Sequence, residues 1–361
     1  MSVAIVHDYL TGYGGAERVV AQMAQIWPQA TIYSSLYRPE STFEVFRRRS
    51  VCTSPLQRLP VDRGYRSLLP LYPLAFRSLG ALQEDLVISS SSGWAHAVRT
   101  GPDSLHVVYC HTPARWLYGA EYLGASARQL MLKPVAPALR AWDRAAARRP
   151  DLYLANSRTV QERIRRTYGR EATVVYPPVE VERFTPTPRG ERLLVVCRLL
   201  PYKRVDVAVR AAARSKIGLD VVGDGPALRE LRRIGGSTVT FHGWLEDGAV
   251  AQLMQSARAV CVPGVEDFGI VPVEAQAAGK PVVAFAGGGA LESVVEGLTG
   301  VFFHSHDPES LLEALRRCDQ LETSPAQIAA NARRFSVAEF RRRLQEAIAS
   351  AQRAAPVRSS A

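Results

Sequence analysis

The sequence predicts an α/β protein of two successive doubly wound domains, each built on a parallel sheet, and three observations carry that expectation. Apolar runs of four to six residues alternate with helical patterns, as βα units require. These runs form two series, separated by the proline-dense stretch Pro177, Pro178, Pro186 and Pro188, which reads as an interdomain linker. The 361 residues are also enough for two cores of ordinary size. Ligands of such sheets bind beyond the carboxyl ends of the strands, so the site is expected in a cleft across which the two sheets face each other.

In chain order, the first series places strands at 3–7, 30–34, 86–89, 105–110, 152–155 and 173–175. Helices are expected at 15–26 and at 158–168, the latter capped by Ser157. The second series places strands at 193–197, 219–222, 239–242, 259–262, 281–284 and 300–303, each followed by a short loop and a helix. A closing helical pattern carries Phe340, Leu344 and Ile348 on one face. The expected limits are 1–185 for the first domain and 186–336 for the second. A C-terminal helix at 337–353 is expected to pack back toward the first domain, followed by a frayed tail at 354–361.

Hydrophobic content of 47% and charged content of 22% are those of a soluble globular protein. Residues 1–7 read as a buried strand rather than a signal peptide. The longest uncharged run, 19–37, contains Gln22, Gln25, Pro28 and Gln29, which no bilayer-spanning helix accommodates. Five scattered cysteines with no metal-type spacing fit a reducing cytoplasm.

A net charge of +11 calls for an anionic partner. Residues 1–185 hold 23 Lys and Arg against 15 Asp and Glu, the remainder 22 against 19. The basic clusters are Arg47, Arg48 and Arg49; Arg58, Arg63, Arg66 and Arg77; and Arg140, Arg144, Arg148 and Arg149 along one amphipathic helix. The segment 56–82 mixes arginines with leucines and aromatics, which suits either an anionic membrane surface or a solvated face over a core helix. Nucleic acid is disfavoured, because the buried-looking strands offer no exposed stacking aromatics.

Nearly every candidate for chemistry lies in a loop after a strand. Around Glu266-Asp267-Phe268-Gly269-Ile270-Val271-Pro272-Val273-Glu274, Pro272 and Gly279 bracket a helix expected at 272–278, with Glu274 in its first turn. The amides of Gly269, Ile270 and Val271 then point out of a helix start that favours an anion such as phosphate. Glu266 and Glu274 are suited to accept hydroxyl hydrogen bonds, or else to complement the helix dipole and solvent. Gly14 and Gly15 allow close backbone approach at another helix start, although without the spacing of a dinucleotide fingerprint. His111 ends an apolar strand, with Arg115 and Trp116 close behind. Arg198 and Lys203 follow the second domain's first strand and can both reach a diphosphate, Arg as a fork and Lys as a point charge. Gly223 sits in a short G-x-G turn, and Phe241 and Trp244 either flank a nucleobase or belong to the core.

Together these elements resemble a retaining glycosyltransferase of family 4 with the GT-B fold, two Rossmann-like domains facing across a cleft. The resemblance covers essentially the whole chain. It rests on the E-x7-E pair Glu266 and Glu274, on Arg198 and Lys203, on Gly14-Gly15, on His111 and on Asn156-Ser157. The stretches VHDYL, YGGAERV, YCHTPARW, RLLPYKRVD and EDFGIVPVEAQAAG look most like bacterial mannosyltransferases that build O-antigen or exopolysaccharide repeat units.

That subgroup implies GDP-mannose as donor, a polyprenyl-diphosphate-linked saccharide as acceptor, and a peripheral position on the inner face of the cytoplasmic membrane. By resemblance, Arg198 and Lys203 neutralise the donor diphosphate and stabilise the departing nucleotide. Glu274 binds the ribose, while Glu266 and His111 face the transferred sugar. The amides of Phe268 to Val271 and Gly15 lie near the diphosphate. Gly223 and Phe241 complete the nucleotide-sugar site. No cofactor and no divalent metal is expected, since no D-x-D occurs and the nearest acidic pair is Asp307 with Glu309. The alternatives left open are the same fold with a UDP-, dTDP- or GDP-linked glucose, galactose or rhamnose, and a basic membrane-binding module without catalysis. Oligomeric state is not written in the sequence.

Overall fold

The computed structural model describes residues 1–59, 71–119 and 134–354. They divide into two compact units: Val179–Glu339, and the described residues on either side of it. The strands of the first unit are β1 (Val3–His7), β2 (Thr31–Ser34), β3 (Val51–Thr53), β4 (Ala81–Leu82), β5 (Leu86–Ser91), β6 (Arg99–Thr100), β7 (Leu105–Cys110), β8 (Leu152–Ala155) and β9 (Thr173–Val174). Seven form one parallel sheet in the order β3-β2-β1-β5-β7-β8-β9, while β4 and β6 pair separately. The chain winds outward from β1 in both directions, so the topological switch point lies between β1 and β5.

β5 is buried along its whole length and β1 along all but its first residue, so neither alternates: β1 reads VAIVH, and β5 reads LVI followed by three buried serines. The core joins Ile5, Val19, Ile32, Ile88 and Tyr109 to Phe340, Leu344 and Ile348. The last three belong to the helix Val337–Ala354, which starts in the second unit and gives its apolar stripe to the first.

In the second unit, β10 (Leu193–Val196), β11 (Leu219–Val222), β12 (Val239–Gly243), β13 (Ala259–Val262), β14 (Val282–Phe285) and β15 (Gly300–Phe303) form a parallel sheet in the order β12-β11-β10-β13-β14-β15. Counted from its own first strand this is 3-2-1-4-5-6, the doubly wound order, with the switch point between β10 and β13. Its core packs Val195, Val221, Cys261, Val283 and Phe303 against Val207 and Ala211 of the helix Val205–Ser215.

Four local expectations change. The boundary falls at Pro178/Val179 rather than 185/186, because the part of the linker from Val179 onward, with Pro186 and Pro188, is bound into the second unit. Val179 N–H donates to Phe335 O at 2.9 Å and Thr187 N–H to Ala278 O at 3.2 Å, and the buried Lys280 ammonium donates to Thr187 O at 3.0 Å. The helix expected at 272–278 is Ile270–Ala277, which moves Glu274 from its first turn to its second. Arg148 and Arg149 lie in the turn after the helix Ala136–Ala146 rather than on it. The edge strand β3 had no counterpart among the expected strands. The stretch 60–70 of the basic-aromatic segment, and all but the first residue of the expected tail, lie outside the described residues.

Candidate active site

The second unit's switch point carries an ion pair. After β10 the chain passes exposed Arg198 and turns tightly at Pro201–Lys203; after β13 it passes Gly264 and reaches Glu266. The two loops touch through backbone: a Cβ on Gly264 would lie 2.7 Å from Lys203 Cα, so only glycine fits there. This contact brings the Lys203 ammonium into a direct hydrogen bond to Glu266 Oε1, with the two side chains 12% and 21% exposed. Burial works against the Lys203 charge, but Glu266 outweighs it and the pKa rises above the ordinary lysine value, so Lys203 is a cation at every physiological pH.

A small cavity borders this pair, lined by Cys197, Lys203, Pro263, Gly264, Glu266 and Val271. Burial pushes the Cys197 thiol up to about 12, which excludes it as a thiolate. Val271 belongs to the first turn of the helix Ile270–Ala277, whose cap Gly269 has φ +84°. The half-buried amides of Gly269, Ile270 and Val271 donate to no backbone acceptor among the described residues. A cation and a helix N-terminus therefore converge on one cavity, the two ingredients of an anion site, with Glu266 standing as the lysine's counter-ion.

Glu274 lies deeper, with Oε1 accepting from Arg183 Nη2 at 3.2 Å. Arg198 makes no salt bridge among the described residues and is exposed. The Phe268 ring is buried against Phe335, centroids 5.3 Å apart, which leaves only its backbone for a ligand. Half-buried Phe241 packs on the domain core. Gly223 N–H donates to Gly243 O at 2.7 Å, and a Cβ there would fall 1.9 Å from Cys197 O, so this glycine lets its loop press against the one before Arg198.

The other predicted residues gather at the first unit's switch point. His7 Nδ1 lies 3.1 Å from Ser90 Oγ, and Ser90 Oγ lies 2.8 Å from His111 Nε2. Burial, then the charges of His7 and Arg115, push His111 down to about 3, so its imidazole is neutral. Asp8 accepts from the amides of Ser92, Trp94 and Ala95 at 2.6–2.8 Å and fixes the turn after β5. Gly14 caps the helix Gly15–Ile26, and Glu17 folds back over that start so closely that a Cβ on Gly14 would meet its Oε2 at 2.4 Å. Burial raises the Glu17 pKa. Asn156 is buried, and Ser157 caps the helix Arg158–Tyr168 by accepting from Val160 N–H at 3.1 Å. Asp307 likewise caps the helix Pro308–Asp319.

Sequence reasoning missed three supports of the site. Glu17 and Arg183 became visible only with their partners in place. The third is Gly289, whose N–H donates to Glu266 O at 2.9 Å and whose missing side chain lets it lie against Phe268 Cα. Its signal was present in the run Gly287-Gly288-Gly289 after a strand.

Two doubly wound domains, one with a cation beside a helix start at its switch point, define a class of α/β architectures that places ligand sites at such points. Within it, residues 13–183 match the family model for Glycosyltransferase Family 4, and residues 181–335 match that for Glycosyl transferases group 1. The two matches adjoin and together run from residue 13 to residue 335.

It is 34% identical over 202 residues to a D-inositol 3-phosphate glycosyltransferase of Actinosynnema mirum, covering 46% of this chain and 48% of the relative. It is 31% identical over 192 residues to a GDP-mannose-dependent alpha-(1-6)-phosphatidylinositol monomannoside mannosyltransferase of Mycolicibacterium smegmatis, covering 44% and 50%. The matched region spans about half the length of these relatives. Among solved structures, the Anabaena protein HepE in complex with UDP and glucose superposes with a TM-score of 0.70 at 22% identity, over 96% of this chain and 99% of that one. Sucrose-phosphate synthase from Thermosynechococcus elongatus superposes with a TM-score of 0.75 at 19% identity, over 98% and 100%. Both likenesses show the GT-B fold.

Proposed function

We propose that this protein is a retaining glycosyltransferase that moves a hexose from a nucleotide diphosphate donor to a hydroxyl acceptor. The observation that supports the reading is the meeting of Lys203, Glu266 and Val271, the last in the first turn of the helix Ile270–Ala277, on one cavity. A sugar diphosphate brings the anion that the lysine and the helix start favour, and its arrival exchanges the Lys203–Glu266 pair for Lys203–phosphate. Glu266 is then released to accept hydrogen bonds from the sugar. Arg198 and Lys203 stabilise the leaving diphosphate, and Glu274 accepts from ribose hydroxyls. Gly15 lies near the diphosphate, and neutral His111 offers a hydrogen-bonding edge, not a positive charge, to the transferred sugar. The reaction needs no divalent metal, because cations and amides supply the countercharge.

Glu266 and Glu274 each face a basic side chain, Lys203 and Arg183. That is the arrangement of two binding carboxylates rather than of an acid/base pair flanking a scissile bond.

For the donor we propose GDP-mannose, supported by the mycobacterial relative, and for the acceptor a polyprenyl-diphosphate-linked saccharide of a cell-surface polysaccharide. UDP-glucose is the second reading, favoured by structural neighbours solved with UDP, UDP and glucose, or UDP-glucose. Thermal unfolding against a panel of nucleotide sugars tests this, since the cognate donor raises the transition by mass action. The expected result is a rise with GDP-mannose that EDTA leaves intact. A rise with UDP-glucose alone selects the second reading, and no rise with any donor rejects glycosyl transfer. Lys203→Ala and Glu266→Ala are expected to lower transfer by orders of magnitude while Arg47→Ala leaves it unchanged. Glu266→Gln, which frees the lysine, is expected to bind GDP at least as tightly as the parent.

A further inference from the structure

We propose that Arg183 is a positioning residue that sets the Glu274 carboxylate against the nucleotide ribose, which makes it part of the donor site. The proposal rests on the reading of Glu274 as the ribose acceptor. Arg183 ends the turn Val181–Arg183, far in sequence from every motif of the site. Its guanidinium is only 23% exposed and reaches two acids at once, with Nη2 at 3.2 Å from Glu274 Oε1 and Nη1 at 3.0 Å from Asp247 Oδ2. It also lies over the Phe184 ring, 4.9 Å from the centroid.

Each contact constrains a different freedom. Phe184 is buried and fixes the plane of the guanidinium. Asp247 begins the helix Asp247–Ser256 and holds the far end of the fork. The turn itself is tied down next door, where Val179 N–H meets Phe335 O. A cation so held defines where Glu274 Oε1 must lie.

Glu274 needs that definition. Its carboxylate hangs on three rotatable bonds from the second turn of a buried helix, and a ribose diol is recognised only if both partners meet it in plane. A buried carboxylate without a countercharge either turns away or takes up a proton, and both remove an acceptor. A planar fork can span two carboxylates, whereas a lysine ammonium offers one point of charge, so arginine and lysine are not equivalent here.

The test is calorimetric binding of GDP and UDP, each compared with its 2′-deoxy and 3′-deoxy forms, to the parent protein and to Arg183→Ala, Arg183→Lys and Glu274→Ala. For the nucleotide it binds, the parent is expected to lose about tenfold or more when the hydroxyl is removed, as for a hydrogen bond to a charged group. Glu274→Ala and Arg183→Ala are expected to bind both forms within about threefold of each other, with Arg183→Lys in between. In turnover, Arg183→Ala is expected to raise the donor KM about tenfold while kcat stays within about threefold. A generally loosened fold would weaken the ribose and deoxyribose forms alike and keep their ratio, and that result overturns the proposal. If Glu274→Ala keeps the parent's ratio, the ribose assignment falls and the proposal with it. If only Arg183→Ala keeps it, the assignment stands and the proposal alone falls. Should Arg183→Ala fail to fold, Arg183→Lys decides by the same ratio.

Discussion

His106 and His111 share a property that reaches beyond the site: both are buried and pushed down to about 3. For His106 the causes are burial, then the charges of His96 and Arg149; its Nε2 lies 2.8 Å from Ser89 Oγ. An unfolded chain protonates each imidazole below its ordinary value of about 6.5, while the folded first unit refuses the proton down to about 3. The unfolded state thus binds more protons across that window, so stability rises with pH through it and is lost as pH falls. The slope is at most about 1.4 kcal/mol per pH unit for each histidine. Urea unfolding at pH 7, 6 and 5 is expected to show a falling midpoint, and His106→Gln to flatten part of the fall. A midpoint equal at pH 7 and pH 5 would show that these histidines carry protons in the folded state. The same neutrality limits His111 to hydrogen bonding and excludes it as a standing imidazolium.

At the scale of elements, the site is a set of loops pressed together where side chains are missing. Gly264 shows how much depends on this, because its added Cβ would meet the Cα, C and O atoms of Lys203 at 2.7–2.9 Å, backbone that cannot swing aside. Gly264→Ala is expected to cost about 1–3 kcal/mol of stability as an overpacked contact. It is also expected to lower kcat about a hundredfold, the penalty of a site displaced by about an ångström. Gly248→Ala is the control, since a Cβ there meets nothing within 4 Å inside the helix Asp247–Ser256. Parent-like turnover in Gly264→Ala would show that the loop contact does not hold Lys203 in place. Much of this scale was legible in the sequence. Strands buried on both faces announce themselves as apolar runs, and Ser157 and Gly15 marked helix starts correctly. Pro272 misled because the first turn of any helix lacks partners for its N–H groups, so proline is as harmless at the third position as at the first. β3 is a three-residue edge strand with no fully buried position to betray it. Arg183 and Glu274 stand 91 residues apart, and nothing local to either names the other. Glu17 over Gly14 was hidden for another reason: a glutamate in a first turn reads as a dipole partner in solvent, not as a buried lid.

The whole chain's charge of +11 is spent unevenly, and the first unit shows how. On the helix Ala136–Ala146, Arg140 and Arg144 are exposed, while the one acid, Asp143, is fully buried, 3.0 Å from His96 Nε2 and accepting from Tyr118 O–H at 2.8 Å. The outer face of that helix therefore shows cations without compensating carboxylates. Earlier in the chain, Leu71 caps the helix Tyr72–Ser78 and Leu74 lies within it, 45% and 64% exposed, and Arg77 of the same helix is exposed. No helix among the described residues is long and apolar enough to cross a membrane. On this combination we propose an electrostatic attachment to anionic lipid, in which each arginine near the surface contributes about 1 kcal/mol. Reversing Arg140 and Arg144 to glutamate is expected to weaken sedimentation with phosphatidylglycerol-containing vesicles about thirtyfold or more, the equivalent of at least 2 kcal/mol. Raising salt from about 0.01 M to 1 M shortens the screening length from about 30 Å to about 3 Å, so the parent protein is expected to leave the vesicles across that range. Binding that ignores salt would instead assign attachment to Leu71 and Leu74 inserting among the acyl chains, and Leu74→Ser would then abolish it while the arginine reversal would not.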